Sequence, residues 1–165
     1  MRTAIAITIA ISVSGCATLG PLNPHQTVPH WGVTYTGDIP AADDVTVLAE
    51  ALEQVTLTFP RDRRDDIRGK IAHIEIWFRK AQLVKNRHTG EMAPGLFHAP
   101  RYIEIAVGDR RRIGDTALVY EVYRVLHRAI AGASLSTSAK HQEVYGERIA
   151  HINDCLRGRL LECLQ

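Results

Sequence analysis

Between Ala117 and Ile130 the chain reads ALVYEVYRVLHRAI, an amphipathic stretch that places Tyr120, Glu121 and Arg124 within about one helical turn and His127 one turn further on. A carboxylate at 121 can serve as a general base or a metal ligand, and Tyr120 could ligate as a phenolate. Arg124 cannot ligate: its guanidinium stays protonated and only donates. A dication beside it would be repelled by several kcal/mol at about 4 Å, taking a local dielectric of about 20. Downstream, AKHQEVYG supplies His141 and Glu143, so Glu121, His127 and His141 form one mixed set that could hold an ion. A histidine on a polar helix face is otherwise simply solvated. His73 and Glu75 share a strand face and read either as a ligand pair or as a partly exposed face beneath a helix. Ser134, Ser136 and Ser138 lie in a loop without a nucleophile elbow, and no G-x-S-x-G, C-x-x-C or phosphate-binding glycine loop occurs anywhere.

The segment TALVYEVYRVL, in its order of elements, resembles a zincin-type metallopeptidase domain, in which a helix carries His-Glu-x-x-His and a third ligand follows later in the chain. Two histidines four apart share a helical face and hold one zinc ion, and the glutamate between them acts on the bound water. On that resemblance Glu121 matches the glutamate, Tyr120 and Arg124 stand at the two histidine positions, and His141, or else Glu143, stands at the third. The resemblance spans roughly residues 31–153. It implies a cleft that has lost its metal, with no zinc, with Glu121 vestigial and with Arg124 as a built-in cation facing it. A solvated Glu121–Arg124 pair worth under about 1 kcal/mol is the simpler account of the same two residues.

The first residues, MRTAIAITIAISVSGCATLG, carry one basic residue and an apolar run of about half the roughly twenty residues needed to cross a bilayer, which suits an export signal. Val13-Ser14-Gly15-Cys16 resembles the lipobox of bacterial lipoproteins. The resemblance implies signal removal at residue 15, a covalent lipid on Cys16, export, and membrane anchoring without spanning; Ala17, in place of a retaining aspartate, favours the outer membrane. Loss of Arg2 leaves a net charge near +1, which gives no footprint for nucleic acid. The runs Arg61–Asp66 and Asp109–Arg112 read as solvated loops.

These residues need elements to position them. Residues 17–30, with three prolines, read as an extended tether, and the fold is expected to start near Trp31. WGVTYTG reads as a strand. AADDVTVLAEALEQV reads as a helix with Val45, Leu48, Leu52 and Val55 on one side. Ile71–Phe78 reads as a half-buried strand with Ala72, Ile74, Ile76 and Phe78 inward, Asn86–Gly95 as a loop, and Arg101–Val107 as a second such strand. In the helix after Asp115 or Thr116, the predicted buried stripe is Leu118, Val122, Val125, Leu126 and Ala129, with Tyr120, Arg124 and His127 opposite and Glu121 beside them. Residues 131–140 read as a loop, followed by a helix from about His141. Cys155 and Cys163 would be about 12 Å apart along one helix, so a disulfide between them requires the chain to turn, as Gly158 permits, and two free thiols are the alternative.

The expectation is one α+β domain over 31–165, order β-α-β-β-α-α, after a signal (1–15) and a tether (16–30). It would act as a catalytically inactive zincin-like binding or structural module at the cell envelope. Its expected partners are the membrane, through the lipid, and an envelope protein or peptide, received by the old cleft and by the strand Arg101–Val107. A metal-dependent hydrolase with an unconventional site and a structural lipoprotein unrelated to zincins are the alternatives.

Overall fold

The computed structural model describes residues 25–98, 100–132, 138–158 and 163. Cys16 and the lipobox-like residues 13–15 lie outside these residues, as do Ser134 and Ser136. The described chain is one mixed α+β domain: five strands in one sheet, a two-stranded hairpin and four helices.

Its first elements are the strands β1 (Gln26–Thr27) and β2 (Thr34–Thr36), joined by a turn that holds His30 at φ 65°. The ordered fold therefore reaches back past Trp31 into the stretch expected to be tether. Val28, flanked by proline, is fully buried, and its amide bonds the Val33 carbonyl at 2.8 Å. Helix α1 (Val45–Leu57) starts where Asp44 caps it, accepting from the amides of Thr46 and Val47, and it buries Leu48, Leu52 and Val55 as its spacing predicts.

The acidic-basic run at Arg61–Asp66 departs from expectation. It forms a 3₁₀ turn, Arg61–Arg63, and the start of helix α2 (Arg64–Ile71). Asp65 and Asp66 occupy the first turn and Arg68 and Lys70 the last, which suits the helix dipole, and the side chains of Ile67 and Ile71 anchor the helix one turn apart. Because Ile71 ends this helix, the following strand β3 begins only at Glu75 and runs to Arg79; His73 sits in the intervening turn and shares no strand face with Glu75.

After the hairpin β4 (Val84–Lys85) and β5 (Met92–Ala93) come β6 (Gly95–His98) and β7 (Tyr102–Ala106). The sheet order is β1-β2-β3-β7-β6, with β2, β3 and β7 parallel and β1 and β6 antiparallel at the two edges. The strand expected as a recognition edge, Arg101–Val107, is therefore internal, paired on both sides. Among the described residues the two edges of this sheet are β1 and β6, and β6 is the edge that lies against helix α3 (Leu118–Ala131).

Inward positions Ile74, Ile76 and Phe78, and Ile103 and Ile105 of β7, join α1, α2, helix α3 (Leu118–Ala131) and helix α4 (Ser138–Leu156) in one core. On the other face, Val84 of the hairpin covers Leu96 and Ala106. Among the described residues no helix lies over Glu75, which stays partly exposed on this face. The observed order is thus richer than β-α-β-β-α-α: a second early strand, a second early helix and three short strands are added.

Gly158, at φ 69°, ends the turn that follows α4, and Cys155 and Cys163 form a disulfide with Cα atoms 5.7 Å apart. Among the described residues no helix is long and apolar enough to cross a membrane.

Candidate functional site

The motif residues belong to the first two turns of α3. A 3₁₀ turn, Ile113–Asp115, leads in, and the Thr116 hydroxyl donates to the Ile113 carbonyl at 2.7 Å and accepts from the Leu118 amide at 3.2 Å. Asp115 does not cap the helix; it pairs with Arg157, just past the end of α4, at 2.8 Å. Leu118, Val122, Val125 and Leu126 face the core as predicted. Ala129 does not, because the last turn of α3 is exposed.

Glu121 is the largest departure on this helix. Expected beside the polar face, it is only 2 % exposed. The reason lies in β6, whose first residue presses directly on it: a Cβ built on Gly95 would stand 2.8 Å from the Ala117 Cβ and 2.9 Å from the Glu121 Cγ. Only glycine lets the strand lie this close to the helix. Burial raises the Glu121 carboxyl to about 7, against the opposing pull of Arg124, whose Nη1 donates to Oε2 at 3.3 Å. Near neutral pH the acid is thus divided between a neutral and a charged form, and Arg124 favours the charged one. The Arg124 guanidinium is itself partly exposed and lies 6.0 Å from the Phe97 ring centroid.

His141, in the first turn of α4, is brought to the same helix but not to the carboxylate. It is 2 % exposed, with the Tyr120 ring centroid 4.3 Å away and that of Tyr145 5.1 Å away. Both ring nitrogens are buried without a hydrogen-bond partner. Burial first, then the charges of Arg124 and His127, lowers its pKa to about 4, so the ring is neutral at physiological pH. His127 is turned elsewhere: its Nδ1 bonds the Tyr145 hydroxyl at 3.0 Å. Tyr145 in turn stacks on Tyr123 at 4.8 Å, and the Tyr123 hydroxyl pairs with the Thr58 hydroxyl at 2.7 Å. Glu143 points to solvent.

Glu121, His127 and His141 therefore do not converge. Among the described residues no group of three histidine, cysteine, aspartate or glutamate side chains is placed to hold a metal ion. Nor do the two motif positions fit zinc, since one is a guanidinium already on the carboxylate and the other a phenol ring packed on His141.

What the residues do form is a groove of about 550 Å³. Pro94 and the edge-strand residues Gly95–Phe97 make one wall, and Ala117, Tyr120, Glu121 and Arg124 make the other. Gly95 and Phe97 are the contributors that sequence reading missed; their only signal was GLFH, a glycine followed by two bulky apolar residues at the end of a turn-rich stretch.

Compared with known proteins, the chain matches no family model, no curated protein and no solved structure.

Proposed function

We propose that the chain is a lipid-anchored bacterial envelope protein whose zincin-like cleft has lost its metal and now serves as a binding site for an extended segment of a partner protein. The signal-like N-terminus and Val13-Ser14-Gly15-Cys16 support the anchoring and export, with the outer membrane as destination. One contact carries the reading of the cleft: the Arg124 guanidinium stands 3.3 Å from the Glu121 carboxylate, where a zinc ion and its water would have to be.

Two further features support the same reading. His141 keeps two buried, unpartnered nitrogens beside position 120, as a former ligand would after its metal was lost. The groove is also bounded by a strand edge, and an extended peptide can add to such an edge through backbone hydrogen bonds without any metal. The receiving strand is β6, in place of Arg101–Val107.

Restoring the motif tests this directly. The double variant Tyr120→His, Arg124→His places two histidines around Glu121, with His141 beside the first. It is expected to hold about one zinc ion per purified chain after dialysis, by analogy with three-ligand catalytic sites, while the unaltered protein holds none. A folded double variant without zinc, or zinc retained by the unaltered protein, refutes the reading.

A further inference from the structure

The face of the sheet away from the helices carries a second concavity, of about 400 Å³, large enough for one or two sugar rings. Three rings form its floor in a row. Trp77 of β3 and Tyr102 of β7 meet edge to face at 5.0 Å, and His98 of β6 stacks on Tyr102 at 4.9 Å. All three are half-buried, so each keeps ring surface open to solvent.

The polar groups around this floor are held in place by one another. Glu104 accepts from Arg79 Nε at 2.6 Å and pairs with His98 Nε2 at 3.3 Å, and the Arg79 guanidinium lies 4.5 Å over the Trp77 ring. The indole N–H donates to Glu75. A network fixed in this way loses little side-chain freedom when a ligand arrives. Carboxylates retain lone pairs for further donors, and their planar two-oxygen geometry suits adjacent hydroxyls.

Three classes of ligand fit poorly. The carboxylates of Glu75 and Glu104 balance the guanidinium groups of Arg79 and Arg87, so a phosphate-rich ligand gains no net attraction. A bilayer surface does not match a concave, charged lining. A peptide adding by its backbone would pair beyond the β6 edge and not over this floor, because β3 and β7 are each bonded to strands on both sides. Recognition here must come from side chains alone.

We propose that this face is a saccharide-binding site: the C–H face of a sugar ring packs on Trp77 and Tyr102, and its hydroxyls donate to Glu75 and Glu104. It is separate from the Glu121 groove, which lies across the sheet, and it does not depend on the function proposed for that groove.

The test uses the full purified protein and three probes, cellobiose, maltose and N,N′-diacetylchitobiose, followed by calorimetry and by tryptophan emission. At least one disaccharide is expected to bind saturably, with Kd below about 5 mM. Glu75→Gln and Trp77→Ala should each weaken it about tenfold or more, a loss of about 1.4 kcal/mol, while Val144→Ser, at an exposed position of α4, leaves it unchanged. If Trp77→Ala fails to fold, emission decides: the sugar-induced change should persist in Trp31→Phe and vanish in Trp77→Phe. No saturable binding of any probe, binding unaffected by folded Trp77 variants, or displacement of the sugar by equimolar inorganic phosphate overturns the proposal.

Discussion

Replacing Glu121 by glutamine should reshape the pH dependence of stability. In the unfolded chain the carboxyl titrates at its ordinary 4.5; in the fold, burial holds it at about 7. Between these values the folded protein binds more protons than the unfolded one, so stability is highest below pH 4.5 and falls as pH rises through 7. The separation of about 2.5 units, at 1.36 kcal/mol per unit, amounts to about 3 kcal/mol. Glutamine does not titrate, so Glu121→Gln lacks this fall. His141 works in the opposite sense: lowered from 6.5 to about 4, it makes stability rise with pH across that interval. The unaltered protein should therefore be nearly flat from pH 4.5 to 6.5 and lose stability above, whereas the variant climbs to pH 6.5 and then holds level. Urea unfolding at pH 4.5 and pH 8 reads the effect. The stability difference between variant and parent should grow by about 3 kcal/mol between the two, or about 1.5 M in midpoint at an m-value near 2 kcal/mol/M. A difference equal at both pH values, within about 0.5 kcal/mol, would mean that Glu121 does not titrate from a buried position.

Two other substitutions separate the remaining parts of the site. His141→Phe keeps a ring between Tyr120 and Tyr145 and removes two unpartnered nitrogens, so it should be at least as stable as the parent at pH 7.5 and about 3 kcal/mol more stable at pH 4, where the parent histidine must charge inside the fold; urea midpoints at the two pH values check both statements. Arg124→Met leaves the Glu121 carboxylate without its cation, and should cost about 3 kcal/mol at pH 8, where the acid is charged, but under about 1 kcal/mol at pH 5, where it is neutral. Equal loss at both pH values would show that the loss does not come from the ion pair, and no loss at either would show the pair to be a surface contact of no consequence.

The elements that were legible in the sequence are those whose burial is set by their own periodicity. Leu48, Leu52 and Val55 in α1, Ile103 and Ile105 in β7, and Leu118, Val122 and Leu126 in α3 each follow one repeat, and each faces the core. Helix α2 was hidden because RDDIRGKI has just two apolar residues; its support comes from those two buried isoleucines, from charges at its ends and from Arg68 reaching Glu53 on α1. Strand β6 was hidden because a four-residue edge strand beginning with glycine carries too few side chains to show a period of two. That one omission accounts for the larger errors at the site. Without β6, the turn of α3 holding Glu121 has no visible reason to be buried, and β7 looks like an edge.

The same strand explains how two unrelated surfaces can share one small sheet. Along β6, Gly95 and Phe97 point to the helices while Leu96 and His98 point away; along β7, Ile103 and Ile105 point in while Tyr102 and Glu104 point out. Side chains alternate across a pleated strand, so neighbouring residues in sequence serve opposite faces. The inner face needed glycine at 95 to seat Glu121 against β6, which constrains the backbone path of β6 and with it the position of His98 against Tyr102 on the outer face. Changes of side chain at 98 or 104 should thus stay local to the outer face. A Cβ at 95 would push β6 off α3 and displace both surfaces together, so the groove and the ring row are chemically separate but mechanically joined through one strand.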